Sequence, residues 1–313
     1  MKIAISGLGR MGMQIAEKLV KDGHTVIAHN RSSDKVDHAA GFGATAAYSK
    51  QDVAAAFEDG EQAILWIMLP AAIIDSELSD WMDILPEGTI FVDGGNSDYR
   101  LTRQHAETVH NHGSILLDSG TSGGIMGLKD GFCMMIGGDQ TSYQLLEPIF
   151  QSLAAPLGGY HHFGSTGSGH YVKMVHNAIE YGMMESLAEG YRMLHEGPYK
   201  ELDLAAAGDL WQNGSIVTSG LNKLTTQALA ENPTLQGIDG FVAESGEARW
   251  TLETAKELNI PLPSIQASFD VRLASQKGET SFTTKLLAAM RNKFGGHAIN
   301  NESPVDSQVE PKT

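Results

Sequence analysis

The chain has 313 residues, 42% hydrophobic and 19% charged, with a formal net charge of -16. That length allows two domains with a core each. The acidic balance excludes nucleic acid as a partner, because phosphate backbones are gripped by clustered Lys and Arg. A single cysteine, Cys133, excludes an intramolecular disulfide and a cysteine-based metal cluster. Set in Phe132-Cys133-Met134-Met135-Ile136, it reads as a buried, inert thiol. No apolar run approaches a bilayer span and no targeting pattern opens the chain, so the expectation is a cytoplasmic protein without a membrane partner.

The first element is an apolar strand over residues 2–6, followed at once by Gly7-Leu8-Gly9-Arg10-Met11-Gly12 and a helical run. A second strand is expected over 24–28. A strand–glycine turn–helix–strand unit of this kind cradles a dinucleotide. The glycines permit a tight turn, close approach of the pyrophosphate and close helix–strand packing, and the helix N-terminus offers free N–H groups. The second strand runs into His29-Asn30-Arg31-Ser32-Ser33. An acidic residue there would bond both ribose hydroxyls of NAD and repel a 2′-phosphate. A neutral Asn30, a pairing Arg31 and a donating Ser32 favour NADP, with NAD possible.

Further strands are expected over 63–69, 89–92, 115–118 and 132–136, with helices between several of them. The pattern predicts an α/β, doubly wound Rossmann-type domain over residues 1–164. Ligands of such sheets gather where strands end, which singles out Met68-Leu69-Pro70 for the cofactor. Two glycine-paired turns are expected after strands, Asp93-Gly94-Gly95-Asn96-Ser97 and Asp118-Ser119-Gly120-Thr121-Ser122-Gly123-Gly124. Asn96 can serve both cofactor and substrate, and Ser122, Gly123 and Gly124 can hold a carboxylate or hydroxyl.

Beyond Gly167-Ser168-Gly169 the chain turns helical, with one long proline-free segment over 171–194. Lys173, His176, Asn177 and Glu180 stand at offsets 0, 3, 4 and 7, along one face. Apolar residues on several sides predict a helix through a domain interior, where a polar stripe needs partners or a ligand. A desolvated lysine can act as a base near neutral pH, and a glutamate two turns away as an acid. Metal is not expected, since lysine is a poor ligand and carboxylates nearby are few. An all-α substrate and dimerisation domain is expected over 165–298, then a flexible polar tail over 299–313.

These motifs, together with the run Lys173-Met174-Val175-His176-Asn177-Ala178-Ile179-Glu180-Tyr181, resemble the short form of the 6-phosphogluconate dehydrogenase family, within the β-hydroxyacid dehydrogenases. The resemblance implies oxidative decarboxylation of 6-phosphogluconate to ribulose 5-phosphate, in the pentose phosphate pathway and gluconate use. It casts Lys173 as the base at the 3-hydroxyl and Glu180 as the acid that protonates C1 of the enediol left by decarboxylation. Asn96, Ser122, Gly123, Gly124, His176, Asn177 and Tyr181 become substrate contacts. Arg249, Arg272, Arg291 and His297 are implied at the phosphate. In the family, the Arg291–His297 segment reaches a neighbouring subunit's site, implying a homodimer or homotetramer with shared sites. Two departures stand out: Leu101 occupies a usually acidic position, and Arg249 a position that is often Lys. The rivals are a non-decarboxylating enzyme of the 3-hydroxyisobutyrate type, which leaves Glu180 without a role, and a non-catalytic NADPH-binding sensor.

Overall fold

The computed structural model describes residues 1–299, so the expected tail lies, from residue 300 on, outside the described residues. Two compact units divide the chain, Met1–His176 and a second beginning at Asn177.

The first unit runs β1 (Lys2–Ser6), α1 (Arg10–Lys21), β2 (Thr25–His29), α2 (Ser33–Gly41), β3 (Thr45–Ala47), α3 (Lys50–Ala55), β4 (Ile64–Ile67), α4 (Ile74–Met82), β5 (Ile90–Asp93), α5 (Tyr99–Asn111), β6 (Ile115–Ser122), α6 (Gly127–Asp130), β7 (Cys133–Gly137), α7 (Gln140–Ala154) and β8 (Gly159–His162). The strands form one sheet in the order β3-β2-β1-β4-β5-β6-β7-β8. Every pairing is parallel except β6 with β7, which is antiparallel. Strand order reverses between β1 and β4, the switch point at which such sheets bind their ligands.

Alternation builds a core on each face. Ile3, Ile5, Ile64, Trp66, Ile90 and Val92 pack with Ile15 and Leu19 of α1 and Phe150 of α7. Ala4, Leu65, Ile67 and Phe91 pack on the other face with Leu78 and Trp81 of α4. The sequence reading missed β3 and β8. Their residues, Thr-Ala-Ala and Gly-Tyr-His-His, carry little apolar signal because both strands lie at sheet edges.

The long helix is α8 (Ser168–Glu196), and the unit division falls within it, beyond the expected boundary at residue 164. From Asn177 onward it joins α9 (Leu204–Trp211), α10 (Gly220–Glu231), α11 (Glu247–Glu257), α12 (Pro263–Ser275) and α13 (Phe282–Gly295), an all-helical set. Met184, Ala188 and Tyr191 of α8 pack with Leu229 of α10 and Leu286, Leu287 and Met290 of α13. The Tyr191 hydroxyl is buried there and donates to Asn222 Oδ1 at 2.8 Å. Among the described residues no helix is long and apolar enough to cross a membrane.

Candidate active site

In the first unit the glycine turn joins β1 to α1, and each glycine does different work. Gly7 adopts φ +100°, and a Cβ there would press on the Met68 carbonyl after β4. A Cβ on Gly12 would overlap the Gly7 carbonyl oxygen, so Gly12 lets α1 close on the turn. Around Gly9 nothing lies within 4 Å of a Cβ position, which leaves open room at the helix start. Gly9 is also the N-cap of α1 and supplies no side-chain cap, so no capping side chain competes with an anion at the start of the helix. These features fit a dinucleotide pyrophosphate. Arg10 is exposed and Met11 half-buried at the same turn, while Leu8 is buried.

Asn30 follows β2, and its Oδ1 accepts from the Leu8 backbone N–H at 2.9 Å, which ties the end of β2 to the glycine turn. Arg31 is exposed, and Ser32 is the N-cap of α2 with no side-chain capping bond. Both therefore have side chains available for a 2′-phosphate. Met68 donates its backbone N–H to Ser6 O at 2.7 Å, which sets Met68, Leu69 and Pro70 beside the same turn.

Asp93, fully buried at the end of β5, shapes the next turn: it accepts from Gly95 N–H at 3.1 Å and from the Ser97 hydroxyl at 2.8 Å. Asn96, at the tip, is exposed. The run 118–124 departs from expectation. Residues Asp118 to Ser122 are not a turn but the second half of β6, paired antiparallel with β7 from Asp118↔Gly137 to Ser122↔Cys133. Only Gly123 (φ +135°) and Gly124 (φ +52°) turn the chain. Gln14 of α1, which sequence reasoning passed over, holds that turn: its Nε2 donates to Gly124 O at 3.4 Å and its Oε1 accepts from Leu128 N–H at 3.1 Å. The Ser122–Gly124 turn is thereby fastened to the helix that begins at the dinucleotide loop.

Asp118 is the second residue that sequence reading undervalued. Fully buried, it accepts from Gly167 N–H at 2.6 Å and His170 N–H at 2.7 Å, holding the first turn of α8 by charge-assisted bonds. The His170 ring is buried and bonds Thr102 Oγ1 through Nδ1 at 2.8 Å. Lys173 follows in the next turn, only 6% exposed, packed on β6 where Gly120 has no side chain.

Along α8, His176, Asn177 and Glu180 are half-buried. The helix is not buried on all sides, contrary to the expectation from its composition: Tyr171, Ile179 and Met183 are exposed. Apolar residues on several faces therefore include an open face, which composition cannot separate from an interior one. Cys133 also differs. It is exposed, because it begins β7 with its side chain away from the core that Phe132 and Met134 enter.

In the second unit, Asn177 Nδ2 donates to Glu247 Oε1 at 2.7 Å. Tyr181 is buried, its hydroxyl 3.4 Å from Ser245 Oγ and its ring 3.3 Å from the Arg272 guanidinium carbon. Arg272 is 1% exposed; among the described residues its Nη2 reaches Met184 Sδ at 3.5 Å and its Nη1 has no hydrogen-bond partner. Burial pulls its pKa down to about 10, with the nearby Arg291 pulling the same way and Tyr181, Glu180 and Glu185 opposing. Burial likewise lowers Arg291, against Tyr181, Glu180 and Glu247. Two buried guanidiniums that repel one another, neither ion-paired to a carboxylate among the described residues, form a place where an anion would be stabilising. Arg249 stands apart: exposed, paired to Glu244 at 2.7 Å and set over the Phe269 ring. His297 follows the left-handed cap Gly296 at the end of α13.

Comparison with known proteins fits both units. Residues 2–167 match the NAD binding domain of 6-phosphogluconate dehydrogenase, and residues 169–285 match the 6-phosphogluconate dehydrogenase C-terminal domain. A Bacillus subtilis protein, YqeC, that carries the 6-phosphogluconate dehydrogenase name is 37% identical over 96% of this chain and 100% of its own. A Haloferax volcanii protein named as an NAD(+)-dependent, decarboxylating 6-phosphogluconate dehydrogenase is 36% identical over 96% of this chain and 98% of its own. Among solved structures, the Plasmodium falciparum 6-phosphogluconate dehydrogenase superposes with a TM-score of 0.80 at 24% identity, covering 100% of this chain and 67% of that one. A Mycobacterium tuberculosis 3-hydroxyisobutyrate dehydrogenase superposes with a TM-score of 0.70 at 20% identity, covering 91% of this chain and 98% of that one, so the fold is shared more widely than one activity. The chain belongs to the 6-phosphogluconate dehydrogenase family of nicotinamide-dependent oxidoreductases.

Proposed function

We propose that this chain oxidises and decarboxylates 6-phosphogluconate to ribulose 5-phosphate and carbon dioxide, with NADP as the hydride acceptor. The observation that carries the reading is one helix, α8, bearing a buried lysine, a glutamate two turns on, and a tyrosine stacked on a buried arginine. Bound nicotinamide supplies the hydride acceptor. Lys173 takes the proton from the 3-hydroxyl as hydride leaves C3, and the new ketone accepts the electrons of the C1–C2 bond as carbon dioxide departs. Lys173, now protonated, stabilises the enolate oxygen. Glu180 then delivers a proton to the former C2, which becomes C1 of ribulose 5-phosphate. Ser122, Gly123 and Gly124 hold the carboxylate, and Asn96, His176 and Asn177 orient the hydroxyls. Tyr181, Arg272 and Arg291 take the phosphate, with Arg249 and His297 at its margin.

Arg31 and Ser32 support NADP. NAD is the second reading, favoured by the name of the Haloferax volcanii relative. A non-decarboxylating activity would leave Glu180 and the two buried arginines without work, and a sensor would leave Lys173 without any. The reading includes a cytoplasmic homodimer or homotetramer acting on a small-molecule substrate, without nucleic acid or membrane. Rapid-mixing kinetics of two variants test the chemistry. Lys173→Ala should lose cofactor reduction by at least about a thousandfold. Glu180→Gln should retain a fast first reduction but release product slowly. Wild-type kinetics in both variants would overturn the assignment.

A further inference from the structure

One buried acid has no part in the chemistry above. Glu185 is 6% exposed, and its Oε2 is buried without a hydrogen-bond partner among the described residues. It sits on α8 one turn beyond Tyr181, whose ring stacks on Arg272, and next to Met184, whose sulfur accepts from Arg272. We infer that Glu185 is the proton-linked counter-charge of the Arg272 anion subsite, taking up a proton when a phosphate dianion binds there. The inference rests on the reading of Arg272 as a phosphate group.

Arg272 has no ion-paired carboxylate among the described residues, yet it interacts electrostatically with Glu185. Three influences act on the Glu185 carboxyl. Burial and the neighbouring Glu189 on α8 disfavour its charge, Arg272 from α12 favours it, and the balance brings it up to about 7. Arg291 of α13, Glu180 and Tyr181 act on the same guanidinium and do not discharge it. An incoming dianion occupies the field of Arg272 and adds like charge beside Glu185. Both effects drive the carboxyl neutral. Below about pH 7 the proton is already in place, so binding needs none. Above it, binding must draw a proton from solvent and weakens as pH rises. Glu185 is thus a positioning residue for the anion, acting through Arg272.

The test is calorimetric titration of the full-length protein with 6-phosphogluconate in two buffers of different ionisation enthalpy at about pH 8, where the ligand's own phosphate is already a dianion. The expected result is uptake of nearly one proton in the wild type, with affinity falling by up to about eightfold from about pH 6.5 to pH 8. Glu185→Gln should abolish both the uptake and the decline. Glu189→Gln, an exposed change that spares the fold, should move the midpoint to lower pH, because it removes a repelling charge. Binding without proton uptake in the wild type, or uptake that persists in Glu185→Gln, overturns the inference. Failure of the wild type to bind 6-phosphogluconate at either pH overturns the phosphate reading itself.

Discussion

Gly120 and Lys173 meet so closely that a methyl group on the glycine would overlap Cβ of the lysine. The strand that supplies the Ser122–Gly124 turn thereby also sets where the lysine of α8 stands. Gly120→Ala should push α8 off β6 and shift the amine by a fraction of an ångström or more. The expected outcome is a loss in kcat of about 10- to 100-fold with cofactor affinity little changed, since the dinucleotide turn lies on β1 and α1. Steady-state kinetics beside a cofactor-binding titration would separate the two quantities, and equal losses in both would contradict the account.

Cofactor choice turns on Asn30 and Arg31. Arg31→Ala should raise the KM for NADP by about tenfold or more and leave that for NAD nearly unchanged, because only NADP carries the phosphate it pairs with. Asn30→Asp keeps an oxygen to accept from Leu8 N–H and adds a charge that repels a 2′-phosphate. It should shift preference towards NAD without unfolding the turn. Paired KM values for both cofactors check the pair of substitutions.

Much of this arrangement was legible before any coordinates. The glycine turn declares itself because each glycine answers a separate steric demand, and the Lys173–Glu180 stripe follows from helical periodicity. Asp118 and Gln14 were not legible. An aspartate in a strand-like run and a glutamine on a helix carry no signal until the partners they hold, at Gly167, His170 and Gly124, are brought near from distant sequence. The run 118–124 looked like a turn for a related reason: its glycines and serines suit a loop, while antiparallel pairing with β7 keeps Asp118 to Ser122 extended. Glu185 was invisible as a buried acid, since its helix presents both a buried and an open face.

Glu185 also makes stability depend on pH. Its carboxyl is raised from 4.5 to about 7 in the folded chain. The folded state therefore holds a proton that the unfolded state releases. That contribution is complete below pH 4.5 and disappears as pH rises through about 7. Relative to Glu185→Gln, the wild type should lose about 2 kcal/mol of unfolding free energy over that interval, after allowing for partial solvent access. Denaturant unfolding of both proteins at about pH 5 and pH 8 measures it, and a wild type that loses no stability relative to Glu185→Gln between the two pH values would contradict it.

Arg291 bears on the proposed sharing of sites between subunits. It is buried in its own chain and coupled to Glu180, Tyr181 and Glu247 there. If Arg291 serves only the site of its own chain, mixing inactive Lys173→Ala with inactive Arg291→Ala under conditions of subunit exchange restores no activity. Recovery of about a quarter of wild-type activity, the value expected for random hybrid dimers with shared sites, would assign Arg291 to the neighbouring subunit's site.

The central claim is tested most directly by following reduced nicotinamide and trapped carbon dioxide together, with 6-phosphogluconate and either NADP or NAD. The account predicts one reduced cofactor for each carbon dioxide, formed faster with NADP. Reduction without carbon dioxide, or none with either cofactor despite binding, would contradict it.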